Sequence, residues 1–147
     1  ATMLASVQRN YDYILIDCNP SLGLLVINAL TAATSVVIPI QTEYLAARGA
    51  LMILSSIETV RRKKLNSNLA IEGILLTMAD TRTTLTRDIL TAVQQQYGDD
   101  IRIFDTIIKR SVRFAESAVA GQSILAFDPK GPGAEAYRKV TQEILAG

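Results

Sequence analysis

Short apolar runs alternate with helix-period stripes along almost the whole chain, and few architectures accept that order. YDYILI at 11–16, SVVIPIQ at 35–41, IEGILLTM at 71–78 and IRIFDTII at 101–108 have the length and β-branched content of buried strands. Longer stretches with apolar residues at steps of three and four lie between them. Strands joined by helical crossovers run parallel, and the crossovers are right-handed. The order βαβαβαβ with a final helix therefore predicts one α/β domain over residues 1–147, a mostly parallel sheet flanked by helices. The composition fits this. Hydrophobic residues make up 49% of the chain and aromatics only 5%, with no Trp. Aliphatic and alanine side chains must then fill the core, as in sheets covered on both faces.

The helices read as follows. ATMLASVQRN resembles the tail of a helix, with Met3, Leu4 and Val7 on one side. Ser21 is placed to cap a helix with Leu22, Leu25, Ile27, Leu30 and Ala33 as its apolar positions. A long helix spans 44–65 on the stripe Leu45, Met52, Ile53, Ile57 and Val60; it ends in Arg61-Arg62-Lys63-Lys64, where cations meet the negative end of the helix dipole, and at Asn66-Ser67-Asn68. Leu85, Ile89, Val93 and Tyr97 mark another helix, closed by Gly98. SVRFAESAVAGQS reads as a loop with about one helical turn, and ILAFDP as a short extended piece. Ala134, Tyr137, Val140 and Ile144 form the stripe of a last amphipathic helix. Pro39 marks the point where the second strand leaves the sheet.

Several function classes drop out on composition. Fifteen Lys and Arg face fourteen Asp and Glu, a formal charge of +1, so any nucleic-acid surface must be a local patch. There is one cysteine, Cys18, and no histidine. A disulfide framework and His-based catalysis are excluded, and a Cys/His metal centre has too few ligands. One thiol and no signal peptide fit a reducing cytoplasm. No apolar run approaches the roughly 20 residues of a membrane helix.

In open parallel sheets, ligands gather at the carboxyl ends of the strands. Asp17, Gln41, Met78, Asp80 and Lys109 fall at such ends. Asp17 directly follows an apolar run and precedes the turn residues Asn19-Pro20. A nucleotide hydrolase holds its Mg²⁺-ordering acid in this way, and a strand-end acid that only caps the next turn has the same pattern.

YDYILIDCNPSLGLLVINALTAA followed by SVVIPIQTEYLAARG resembles the ParA/Soj family of partitioning ATPases, a branch of the deviant-Walker P-loop NTPases. The likeness continues through LAIEGILLTMADTRTTL and IIKRSVRFAESAVAGQSILAFDPKGPGAEAYRKVTQEIL, and so covers essentially the whole chain in the family's order. The resemblance implies roles. Asp17 matches the Walker B aspartate that helps hold Mg²⁺, in part through water, and Cys18, Asn19 and Pro20 occupy the switch segment after it. Thr77, Met78, Ile108, Lys109 and Arg110 lie where the family lodges the adenine of ATP. Arg82 and Arg113 match arginines that bind DNA without sequence preference. Asn19 and Lys109 stand where the family usually has prolines.

On spacing alone, Arg82 is equally a solvated loop residue, and Arg113 a partner for Glu116 three positions on. The phosphate-binding pattern KGGxGK[ST], which the family carries at its extreme N-terminus, does not occur here. The chain thus resembles the C-terminal part of a ParA-like protein, and by itself is expected neither to bind ATP tightly nor to hydrolyse it. A strand lacking its usual neighbour further predicts pairing between chains or a rearranged sheet. The parent is then a bacterial, nucleoid-associated ATPase that forms an ATP-dependent homodimer, coats DNA and answers to a ParB-like partner. Two other readings stay open: a non-catalytic ParA-like module that holds DNA or a partner, and a MinD-like relative. Against the latter, the last helix carries Arg138, Lys139 and Glu143 and no bulky aromatic face beyond Tyr137.

Overall fold

A computed structural model describes residues 4–19, 23–42 and 46–146, with the side chains of 46–50 and 85 outside that description. The elements are α1 (Leu24–Ala32), β1 (Ser35–Gln41), α2 (Ala46–Arg62), β2 (Ala70–Thr77), α3 (Thr84–Tyr97), α4 (Val112–Val119), α5 (Ile124–Phe127) and α6 (Pro132–Ala146). They divide between two compact units, one of residues 1–36 and 50–71, the other of residues 37–49 and 72–147.

In the first unit, Val26, Leu30, Ile57, Val60 and Leu69 are buried. The α2 stripe holds at Ile57 and Val60, while Met52 is exposed. On α1 the buried positions are Val26 and Leu30, and Leu25 is exposed, so its inner face differs from the expected one. Ser21, Leu22, Met3 and Leu45 lie outside the described residues. The loop after α2 fastens the unit. Asn66 Nδ2 donates to the carbonyls of Leu30 and Ala33 at 2.9 and 2.7 Å, satisfying the carboxyl end of α1. Arg61 donates from Nε to the Leu69 carbonyl at 2.9 Å, so the first cation of the basic run has an internal task.

Lys64 closes α2 in the left-handed region, at φ 56°. Its N–H donates to Arg61 O at 3.0 Å and the Leu65 N–H to Val60 O at 3.1 Å, the paired bonds of a Schellman motif that normally takes glycine. Lys64→Gly is therefore expected to stabilise the chain by about 1 kcal/mol, read as a raised urea midpoint at unchanged slope.

Residues 11–16 do not form the expected strand. They are exposed, with Leu15 at 94%, and among the described residues no ladder hydrogen bond joins 11–19 to another segment. Alternating apolar residues make a strand only beside a partner edge, because unpaired amides and carbonyls are satisfied by water instead. The expected helix tail at the start is a turn over 4–7 leading into a single 3-10 turn, Gln8–Asn10.

β1 and β2, whose larger parts belong to the second unit, pair side by side. The bonds Ala70 N–H to Thr34 O and Thr42 N–H to Thr77 O advance together along both strands, so the pair is parallel. Gly73, Ile74, Leu75 and Leu76 are all buried, the sign of a strand covered on both faces. The segment 101–108 lies on the other side of β2, also parallel, but pairs with it in isolated bridges, Ile74 to Ile103 and Ala79 to Lys109, rather than in a continuous ladder. It takes six steps where β2 takes five, so one residue is extra. The amides of Asp105 and Thr106, which a regular strand would turn to a ladder, donate instead to the Glu143 carboxylate at 2.9 and 3.0 Å. The expected fourth strand is in this way broken by a side chain of α6.

Leu75, Phe104, Ile108 and Val140 form a core cluster, with Val37, Phe114, Ala136 and Ile144 packed against it. Ser111 caps α4 through the Arg113 N–H and Ser123 caps α5 through the Ala126 N–H. Both caps turn stretches read as loop and extended chain into helix: two turns at 112–119 and one at 124–127. Phe114 then meets Tyr137 edge to face at 5.9 Å. Gly98 ends α3 as expected, but at φ −64°, not in the left-handed region.

Candidate functional site

β2 and the segment beside it end at the same level. Ala79 N–H donates to Ile108 O at 3.1 Å, and Arg110 N–H donates back to Ala79 O at 3.0 Å. This exchange brings five of the expected site residues together: Thr77 and Met78 from one strand end, Ile108, Lys109 and Arg110 from the other. Met78 sits at φ 55°, a strained conformation for a residue with a Cβ. Its carbonyl accepts the Thr42 hydroxyl at 3.5 Å, and Thr77 Oγ1 donates to Ile40 O at 3.3 Å. Such outliers persist where the surroundings over-determine them, and they concentrate at ligand sites.

The five residues differ in what they offer. Ile108 is buried in the core cluster and both its backbone groups are in the ladder, its N–H donating to Leu76 O at 2.9 Å. Its place is that of an anchor that fixes the next two residues. Met78, Lys109 and Arg110 are exposed. Two cations beside an apolar, partly polarised strand end suit a planar base and the anionic groups attached to it.

Arg82 lies on the loop that leaves β2. Its Nε and Nη2 donate to the two carboxylate oxygens of Asp80, each at 2.9 Å, and its backbone N–H donates to Asp80 Oδ1 at 3.2 Å. These hydrogen bonds, with the Arg82 and Arg110 charges, lower the Asp80 pKa to about 2. The sign follows from a depressed carboxylate: the pair is complete above the ordinary value of 3.8 and dissolves only as pH falls through about 2.

Arg113, at the start of α4, is held more firmly. It donates to Glu116 at 2.8 Å and to Asp128 at 3.3 Å, and its guanidinium lies 4.8 Å from the centre of the Phe127 ring. The partner expected from spacing, Glu116, is thus in contact, and Asp128 was not legible, because it comes from a different element.

Asp17 belongs to the first unit, in the exposed stretch 11–19, and Cys18 and Asn19 beside it are exposed too; Pro20 lies outside the described residues. Among the described residues no group of three or more His, Cys, Asp or Glu is placed to hold a metal. Mg²⁺ does not need one. It keeps several waters and takes one or two carboxylates together with substrate phosphates, so a single exposed acid fits a water-mediated ligand.

Two important residues were not singled out from the sequence. Glu143 is on the polar side of α6 and reveals its role only once α6 is packed. Gly73 did have a signal, a glycine inside an apolar strand run, which marks close backbone approach.

Comparison with known proteins bears on the fold and on what the chain is similar to. A family model described as an AAA domain matches residues 1–71. The sporulation initiation inhibitor protein Soj of Bacillus subtilis is 47% identical over 143 residues, 97% of this chain and 55% of that protein. The chromosome-partitioning ATPase Soj of Treponema pallidum is 43% identical over 98% of the chain and 56% of its own length. This chain therefore spans about half the length of these curated relatives. The crystal structure of a cobyrinic acid a,c-diamide synthase from Mycobacterium smegmatis, with bound ADP and magnesium, superposes with a TM-score of 0.76 at 35% identity, over 97% of this chain and 49% of that one. Along the length it shares with them, this chain has the P-loop NTPase fold and is similar to the Soj/ParA proteins over nearly its whole extent.

Proposed function

We propose that this chain is the part of a chromosome- or plasmid-partitioning ATPase that closes the base side of the nucleotide site and faces DNA. The observation that carries the reading is its likeness, along nearly its whole length, to a chromosome-partitioning ATPase. The parent protein binds ATP and Mg²⁺, dimerises on doing so, holds DNA without sequence preference, and releases it when a ParB-like partner stimulates hydrolysis.

Each residue then has a task its surroundings support. Asp17 would hold the metal ion through a water, and Mg²⁺ when bound would supply neutralisation of the phosphate charge. Met78 and Thr77 present one strand end to the base, and Lys109 and Arg110 present the other, on the anchor of Ile108. Arg82 and Arg113 offer planar guanidinium forks to phosphate oxygens. Among the described residues no helix is long and apolar enough to cross a membrane.

The test is a salt titration of fluorescently labelled duplex DNA with the wild type and an Arg82→Ala/Arg113→Ala variant. Two lost phosphate contacts weaken binding about tenfold at low salt and flatten the log–log salt slope by about 2. Equal affinity and equal slope in the two proteins would refute the assignment.

A further inference from the structure

Arg82 is an exposed cation that is not free: its side chain is 88% exposed, yet the Nε–Nη2 edge of its guanidinium is on one carboxylate. An exposed arginine loses rotamer entropy when held this way, and its positive field is largely cancelled nearby. The acid responsible sits two residues after the strained Met78, where β2 ends, and it also shapes the loop. Its backbone carbonyl accepts the Thr83 N–H at 3.1 Å and the Thr83 hydroxyl at 3.0 Å, and Thr83 in turn caps α3. The second cation that acts on this carboxylate is Arg110, from the neighbouring strand end. Asp80 therefore stands between the residues assigned to the base and the arginine assigned to DNA.

We propose that Asp80 is a latch on Arg82, a positioning residue that sets how much of the arginine's charge a polyanion can use. The proposal rests on the reading of Arg82 as a phosphate contact. In the latched state the Nε–Nη2 edge is committed to the carboxylate. A DNA phosphate takes the bidentate place on that edge only by displacing the carboxylate, and otherwise meets the Nη1 side of an arginine whose charge is offset; the displaced carboxylate has Arg110 as its remaining nearby cation. The size of the effect is bounded. Exposed ion pairs are weak, so the latch attenuates binding by no more than about fivefold and remains reversible.

The experiment is the same DNA titration on four variants of the 147-residue chain. Asp80→Asn removes the charge but keeps an oxygen for the Arg82 N–H, so the turn is retained, which a thermal melt verifies. It is expected to tighten binding about two- to fivefold, with the salt slope little changed, because Arg82 already meets a phosphate in the wild-type complex. Asp99→Asn, the same charge change at an exposed site away from this loop, should leave both affinity and slope unchanged. Asp80→Asn placed on Arg82→Ala should gain nothing over Arg82→Ala alone. If Asp80→Asn matches Asp99→Asn in affinity and slope while Arg82→Ala still weakens binding, the latch is wrong and the DNA assignment stands. If Arg82→Ala changes neither affinity nor slope, the DNA assignment of Arg82 fails and the latch with it.

Discussion

Gly73→Ala should destabilise the second unit by about 3 kcal/mol, the sum of a strained backbone and an overpacked contact. Gly73 lies mid-way along β2 at φ 152°, a conformation that side chains rarely adopt. A Cβ there meets the Arg102 carbonyl oxygen at 2.8 Å and the Phe104 ring at 3.0 Å. Neither neighbour can yield cheaply. The Arg102 carbonyl is the acceptor for the Ile74 N–H at 2.9 Å, so pushing it away breaks the first bridge between β2 and the segment beside it. The Phe104 ring is buried in the core cluster and carries Arg102 above it at 5.1 Å. Urea unfolding gives the answer directly: a midpoint shift corresponding to less than about 1 kcal/mol would mean that the two strands separate without consequence.

Glu143→Ala comes next, at about 2 kcal/mol, because one carboxylate satisfies two backbone amides of the break at 105–106. Arg102 adds its charge at 3.8 Å. Burial alone pushes the Glu143 pKa up, but the bonds from Thr106 and Asp105 and the Arg102 charge outweigh it, and the net shift is downward from 4.5. A lowered carboxylate pKa stabilises the fold above the unfolded-state value and is lost as pH falls through the folded one. The stability gap between the wild type and Glu143→Gln should accordingly be widest near neutral pH and narrow below 4.5. A gap that is flat across that range would show that the charge contributes nothing there.

Both predictions lie where the segment 101–108 meets a neighbour, β2 in one case and α6 in the other, and that is where sequence reading ran short. The period of apolar residues located α2, α3 and α6 and the strands β1 and β2 to within a few residues. These elements are long enough for their period to be unmistakable, and their buried stripes are local facts. Residues 11–16 and 101–108 have equally good strand patterns, yet one pairs with nothing among the described residues and the other is broken. A strand is completed by its neighbour, and a pattern of side chains cannot say whether the neighbour's backbone groups are available. The short helices α4 and α5 were missed for the opposite reason: each is set by a single serine cap and by packing rather than by a long stripe.

The candidate site divides the same way. The amino-acid order by itself put Met78, Asp80 and Lys109 at the ends of parallel strands, and the family resemblance grouped Thr77 and Met78 with Ile108, Lys109 and Arg110, which the chain does bring together; Asp17, read as a strand end, lies instead in the exposed, unpaired stretch 11–19, because a strand needs a neighbour's backbone. The order also supplied the likeness to Soj/ParA proteins, through motifs spread over the whole chain. Only the tertiary structure decided that Ile108 faces the core, that Met78 is strained, and that Arg82 and Arg113 are each held by carboxylates. Strand order follows from local pattern and chain connectivity, whereas the partner of a charged side chain depends on angles between elements that no linear spacing encodes.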